Sequence, residues 1–472
     1  MITDNVQLAL KKRGKRGNST NWTNNVNLLF IAFSSVFYIR VFVTFSPAPS
    51  ILSHVHFLTV PVVLWIVLAT AQIKDRKRIR LVKSLLTGLF ALLVATLISA
   101  FWNEAGLINA IASFMMLGEP LMFLTAVVCV PMSAESFVRI KKWFMWSVAI
   151  NFLLAAIQKP LIDSGKLYAE GFDGTDGSGG VFFVSGAGNY VSASVSMTVA
   201  VYFLANEKLY PLWIRISVFL AAFWQVLFSD SKQLVFAYGI AWILLVLFSF
   251  QNFVNSIKLL IGLLVVGLTF YWCIYNIAAF SAYTSWARPE LYTPDGEAWY
   301  AKFYSIRAIV AEFQSPLNFL FGLGPGHTVS RLGAWFLRDY ASLLEPLGAT
   351  TTNIGLDARI FVKGFWLTLG SSMFSPIFGW AGIFGDLGLL GLFSYLFLGY
   401  IVWQNFALND AIKITLYAIV VLGFIFTQLE EPGYMVSVAM LLGLVWQEKR
   451  IKDTRRESLA KIGNPDYIYH SS

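Results

Sequence analysis

Apolar segments of membrane-crossing length recur along almost the whole chain, and this constrains the fold more than any motif does. A bilayer core takes about 20 apolar residues per helix. Candidate spans lie near 26–44, 56–73, 84–101, 108–130, 143–160, 187–205, 212–229, 233–250, 258–279, 377–403, 414–429 and 434–447. Within lipid each backbone N–H and C=O must be satisfied inside its own segment, so such runs are helices. Composition agrees. Hydrophobic residues make up 57% of the 472 residues and charged ones 13%, where a soluble domain carries about a quarter. The expected fold is an all-α polytopic membrane protein with about 12 transmembrane helices. Residues 1–25 form an N-terminal tail, 26–280 spans one to nine, 281–376 one large loop, 377–447 spans ten to twelve, and 448–472 a C-terminal tail.

The formal net charge is +9, yet its placement argues against nucleic acid. Most Lys and Arg stand in short runs beside apolar stretches, where they orient helices and meet lipid head groups. With a cytoplasmic N-terminus, Lys74 to Arg80, Arg139-Ile140-Lys141-Lys142, Arg215, Lys258, Lys413 and the basic C-terminal tail all fall inside. An even number of spans then leaves both termini cytoplasmic and residues 281–376 outside. Lys11-Lys12-Arg13 precede an apolar segment without a small-residue cleavage site, so the first span is expected to act as signal anchor. The sequons at Asn18 and Asn21 read as chance on that side. Cys129 and Cys273 sit in apolar stretches and suggest neither disulfide nor metal. No Walker A loop, H-E-x-x-H or G-x-S-x-G is present, and no cofactor is expected.

Two outer loops stand out. Residues 161–186 are rich in glycine (Gly171, Gly174, Gly177, Gly179, Gly180). Residues 281–376 are long and hydrophilic but rich in aromatics, which argues for order. Apolar stripes predict two amphipathic helices there. One covers 297–314 with Phe303, Ile306, Val310 and Phe313. The other covers 325–344 with Val329, Leu332, Phe336, Tyr340 and Leu343.

The sharpest local feature is Gly322-Leu323-Gly324-Pro325-Gly326-His327. A glycine-rich approach to a helix N-terminus exposes N–H groups that bind phosphate. With a helix starting near Pro325, His327, Arg331 and Arg338 share one polar stripe. The alternative is a plain tight turn with arginines snorkelling to head groups. The loop holds seven Lys and Arg against seven Asp and Glu. Arg288, Arg307 and Arg359 are further candidates, since an arginine fork suits phosphate; pairing with the loop's own acids is the competing reading. Lys232, in Phe228-Ser229-Asp230-Ser231-Lys232-Gln233, either meets an anionic head group or pairs with Asp230. Asp386, inside a span, is a candidate by its position alone. Glu430-Glu431-Pro432 closes another span, and any of these acids or His327 could act as general base. Glu119 beside Pro120 reads as a helix break.

The many spans, the late outer loop, its Gly-x-Gly-Pro-Gly segment, the Ser229–Lys232 turn and Trp380-Ala381-Gly382-Ile383-Phe384-Gly385-Asp386-Leu387-Gly388 together resemble the O-antigen polymerase and O-antigen ligase family. Lys232 and Asp386 stand where that family commonly has Arg and Glu. Arg359 and Gly370 match an Arg-x10-Gly spacing of polymerase loops. The resemblance implies an inner-membrane glycosyltransferase, a Wzy-type polysaccharide polymerase. Its substrate would be undecaprenyl-pyrophosphate-linked oligosaccharide, with a flippase and a chain-length regulator as partners besides membrane lipids. His327 and Asp386 would be catalytic. Arg331, Arg338, Arg359, Arg307, Arg288 and Lys232 would hold the pyrophosphate, together with the Gly324-Pro325-Gly326 turn.

An O-antigen ligase ranks lower, because Thr328 follows His327 and Arg338 stands where the ligase pattern has glycine. A flippase or transporter ranks lower again, because the chemistry-bearing residues gather outside the spans. The topology is open to test. Reporter fusions after Lys142 and after Tyr300 are expected on opposite sides of the membrane, and the same side for both would overturn the map.

Overall fold

The computed structural model describes residues 19–44, 46, 48–167, 178–183, 187–248, 253–277, 280, 282–286 and 288–462. Within these every regular element is a helix, and there is no strand. Twelve helices of fifteen residues or more occupy the twelve apolar segments. They are α1 (Ser19–Phe37), α2 (His56–Thr70), α3 (Arg76–Trp102), α4 (Leu107–Cys129), α5 (Ala134–Asp163), α6 (Gly188–Asn206), α7 (Leu212–Phe228), α8 (Gln233–Phe248), α9 (Phe253–Asn276), α10 (Gly379–Phe406), α11 (Asp410–Ile425) and α12 (Pro432–Ile462). Five segments among the described residues are long and apolar enough to cross a membrane: Ser50–Thr70, Arg76–Trp102, Leu107–Cys129, Ala134–Asp163 and Ser372–Phe406. Shorter apolar helices accompany them. Asn18 and Gly171, Gly174 and Gly177 lie outside the described residues.

Helix α4 is the hub. Its apolar window is 83% buried, against 28% for Ser50–Thr70 and α5. It packs on α2, α3 and α12, while α3 packs on α10, α6 on α7 and α8 on α11. The end of α4 is held by Arg78. Its Nη1 donates to Val128 O and Val130 O at 2.8 Å each, and its guanidinium lies over Trp446. Gln447 Nε2 donates to Val127 O and Val130 O. A cation at the C-terminal end of a helix meets the negative end of its dipole and satisfies orphan carbonyls.

Two expectations on local structure need correction. Helix α4 runs unbroken through Pro120, and Glu119 is a buried partner of His56. The two amphipathic helices of the loop are shorter than the stripes suggest. Glu297–Lys302 and Tyr304–Ala311 are separate, divided at Phe303. The 325–344 stretch is turn as far as Ser330. A π-helical turn follows at Leu332–Phe336, and then Leu337–Asp339 and Ala341–Leu344. The apolar stripe there reflects burial: Val329 and Leu332 are core residues, whereas Leu343 is exposed.

Lys302 fastens the loop to the bundle. Its Nζ donates to Met373 O, Ser375 O and Ile425 O at 3.2, 2.8 and 3.3 Å, over the face of Phe378. Burial pulls its ammonium down to about 7. The folded chain therefore binds fewer protons there than the unfolded chain from about pH 7 to the ordinary lysine range, so stability rises with pH across that window. The gap in thermal stability between the native chain and Lys302→Met should shift in favour of lysine between pH 7 and 9, by up to about 1.4 kcal/mol per pH unit. A gap that does not change with pH would mean that the buried ammonium keeps its charge.

Candidate functional site

The glycine-rich turn of the loop is inserted into the bundle against the kink of α10. Gly322, Gly324 and Gly326 have φ of 74°, 107° and 75°, and Gly388 has φ 62°. Such values are open to glycine at little cost. A Cβ on Gly322 would stand 2.5 Å from the Asp386 carbonyl, and one on Gly388 would stand 2.5 Å from Gly322 N. Backbone thus meets backbone. Leu323 N–H donates to Gly385 O at 2.8 Å and Gly324 N–H to Asp386 O at 3.1 Å. Ser99 Oγ, from α3, donates to Asp386 O at 2.7 Å.

The turn binds an anion, but that anion belongs to the protein. The Asp386 carboxylate accepts from Gly326 N–H at 2.7 Å, Thr328 N–H at 2.9 Å and Thr328 Oγ1 at 2.6 Å. The donor Gly326 was expected to offer to pyrophosphate is therefore spent on Asp386, and no helix begins at Pro325. Asp386 and the turn Gly324-Pro325-Gly326 act as one structural clasp. His327 is likewise committed, with Nδ1 2.9 Å from Leu323 O and Nε2 2.7 Å from Thr350 Oγ1. A neutral imidazole that donates from Nδ1 and accepts at Nε2 satisfies both contacts.

The expected cations disperse into four groups. Arg331 enters the bundle: its Nη1 pairs with Glu431, and its backbone N–H donates to Glu430 Oε2 at 2.7 Å. Arg338 and Arg359 sit together. Arg338 donates to Thr352 O, and Arg359 donates to Ala334 O with Asp339 3.9 Å away. Burial, with the Arg359 charge beside it, holds the Arg338 guanidinium below its ordinary range. Arg288 and Arg307 are exposed elsewhere on the loop, with Arg307 folded over Tyr300. Lys232 pairs with Asp230 at 2.6 Å.

Beneath the turn lies a cluster in which Arg331, Glu430 and Glu431, all singled out from the sequence, meet Arg40, His54 and His56, which were not. Glu431, 1% exposed, sits between Arg331 and Arg40. Arg40 Nη2 is 3.1 Å from it, and among the described residues Arg40 Nη1, His56 Nε2, His54 Nδ1 and Glu430 Oε1 are buried with no hydrogen-bond partner. His56 Nδ1 lies 2.9 Å from both oxygens of Glu119. His54 stacks edge-on with Phe336 and Tyr340 of the loop. Arg40 and His56 each end or begin an apolar run. The rule that an ionisable residue inside a span is a functional candidate would have found both.

No family model and no curated protein matches the chain.

Breaking a buried pair from one side costs about 3–5 kcal/mol, because a bare charge remains. Glu431→Gln leaves Arg40 and Arg331 facing each other, whereas Arg331→Gln still leaves Glu431 with Arg40. Glu431→Gln should therefore lower the thermal midpoint in detergent more than Arg331→Gln does. The reverse order would show that Glu431 is not the centre of the cluster.

Proposed function

We propose that this chain is a membrane glycosyltransferase. It joins oligosaccharide repeat units, carried on undecaprenyl pyrophosphate, into a polymer at the outer face of the bacterial inner membrane, and about twelve spans with both termini cytoplasmic hold the site there. The observation that carries this reading is the set of unspent groups below the turn. Among the described residues Arg40 Nη1 is a donor without a hydrogen-bond partner, and it lies in the same cluster as an unspent carboxylate oxygen, Glu430 Oε1. Buried polar atoms are ordinarily hydrogen-bonded, so this cluster suits a ligand rich in acceptor oxygens that also brings a proton to lose. A carrier pyrophosphate and a sugar hydroxyl meet both requirements. The resemblance of the loop and of the Trp380–Gly388 segment supports the same class.

In this mechanism the acceptor hydroxyl oxygen attacks the anomeric carbon of the donor sugar. The bond from that carbon to the pyrophosphate oxygen breaks, and the carrier pyrophosphate leaves with the electron pair. Glu430 takes the hydroxyl proton. Arg40, beside Arg331, stabilises the charge that develops on the leaving group. The leaving group is already activated, so no nucleotide is required. Asp386 and His327 position the turn.

Purified protein in liposomes, given carrier-linked oligosaccharide, is expected to release undecaprenyl pyrophosphate and build polymer. Arg40→Gln should slow this roughly ten- to a hundredfold, the loss of one charge-assisted contact of about 1.5–3 kcal/mol in the transition state. Glu430→Gln should slow it comparably or more. Release that ignores both substitutions would remove the cluster from the chemistry, and no release at all from the native protein would sink the enzyme. In a deletion strain, accumulation of single-repeat glycolipid supports a polymerase, whereas long polymer stranded on its carrier identifies a ligase.

A further inference from the structure

A second candidate ligand site lies at the opposite end of the bundle, where α3 begins and α10 ends. The two helices run antiparallel there and leave a groove of about 1020 Å³. Arg76, Arg80 and Lys83 line it from α3, a spacing of four and three residues that places them on one helical stripe. All three are exposed, and none has an ion-pair partner among the described residues. The nearest acid in sequence, Asp75, is committed: its Oδ2 is 2.6 Å from Arg450, and its Oδ1 accepts from Lys77 N–H at 3.0 Å.

The groove changes character along its length. At the helix ends it offers Arg76 and Arg80 opposite Gln404 and Asn405. Deeper in, past Lys83, it is walled by Phe397, Tyr400, Ile401 and Thr87. The close approach of α3 and α10 ends it: a Cβ on Gly88 would stand 2.4 Å from the Leu398 side chain. Unpaired cations at the rim and aromatic and aliphatic walls further down match an amphiphile with an anionic head and an apolar tail. Cations that served only to orient α3 would need no such trough beside them.

We propose that this groove binds one anionic membrane phospholipid, its phosphate held by Arg76, Arg80 and Lys83 and an acyl chain laid along Thr87, Phe397 and Ile401. The site is separate from the Arg40–Glu431 cluster, and its occupancy does not depend on the transfer chemistry.

The test uses the full-length chain in a neutral detergent, titrated separately with phosphatidylglycerol, phosphatidylcholine and inorganic phosphate. Native mass spectrometry reads the retained lipid, and the shift in thermal midpoint reads its effect. One phosphatidylglycerol should be retained and should raise the midpoint, while phosphatidylcholine and phosphate should do neither. Each basic residue near a lipid surface contributes about fivefold. Arg76→Gln or Arg80→Gln alone should therefore weaken binding by about that factor, and Arg76→Gln, Arg80→Gln, Lys83→Gln together by about a hundredfold. Should the triple variant not fold, the single variants decide. Thr87→Trp keeps every charge and fills the trough, so it should also abolish retention. Equal binding of phosphatidylcholine, an equal effect of phosphate, undiminished retention in the charge variants, or undiminished retention in Thr87→Trp would each overturn the proposal. The last would leave surface adsorption of charge alone.

Discussion

A carboxylate buried in an apolar bundle must find donors, and Asp386 finds them in a turn from another part of the chain. Three hydrogen bonds from Gly326 and Thr328 converge on it, and a carboxylate so surrounded is among the stronger hydrogen-bonded groups in proteins. Much of this end of the bundle follows from this clasp. It fixes the depth to which the loop enters the bundle. It sets Arg331 beside Glu430 and Glu431, and it brings Phe336 and Tyr340 over His54. The close backbone contact of Gly322 with Gly388 is the steric condition for the same insertion.

The long helices were legible because long apolar runs favour helix, and each apolar segment holds one; five among the described residues are long and apolar enough to cross a membrane. The loop was legible only in part. Its apolar stripes marked residues that become buried, such as Val329 and Leu332. Helical spacing alone, however, cannot tell a helix from a turn pinned by a distant acid. The glycines at 322, 324 and 326 did signal an anion-binding turn. Nothing local to them signalled that the anion lies 60 residues further on in the same chain.

The candidate site was harder still. Arg331 stood among the expected residues, but the Glu431 it pairs with and the Arg40 that shares this acid come from opposite ends of the sequence. Glu119 was set aside because proline follows it, yet proline inside a packed helix need not break it when neighbouring helices hold the segment. Arg288 and Arg307 drew notice through residue type alone, and Lys232 through the Ser229–Lys232 turn. Their geometry separates them from the cluster, since a charge at the surface of a loop is satisfied by water or by a near neighbour.

The clasp also has a bearing on the order in which the molecule can be completed. The turn that carries Gly326 and Arg331 is made before α10, which carries Asp386, and before the segment that carries Glu430 and Glu431. During synthesis the large loop therefore emerges with its glycines unpinned and Arg331 without its acids. Arg40 waits longer, because its partner Glu431 is among the last residues to leave the ribosome before α12. This end of the bundle is thus a joint between the segment after α1 and the segment before α12, closed only once both are in place.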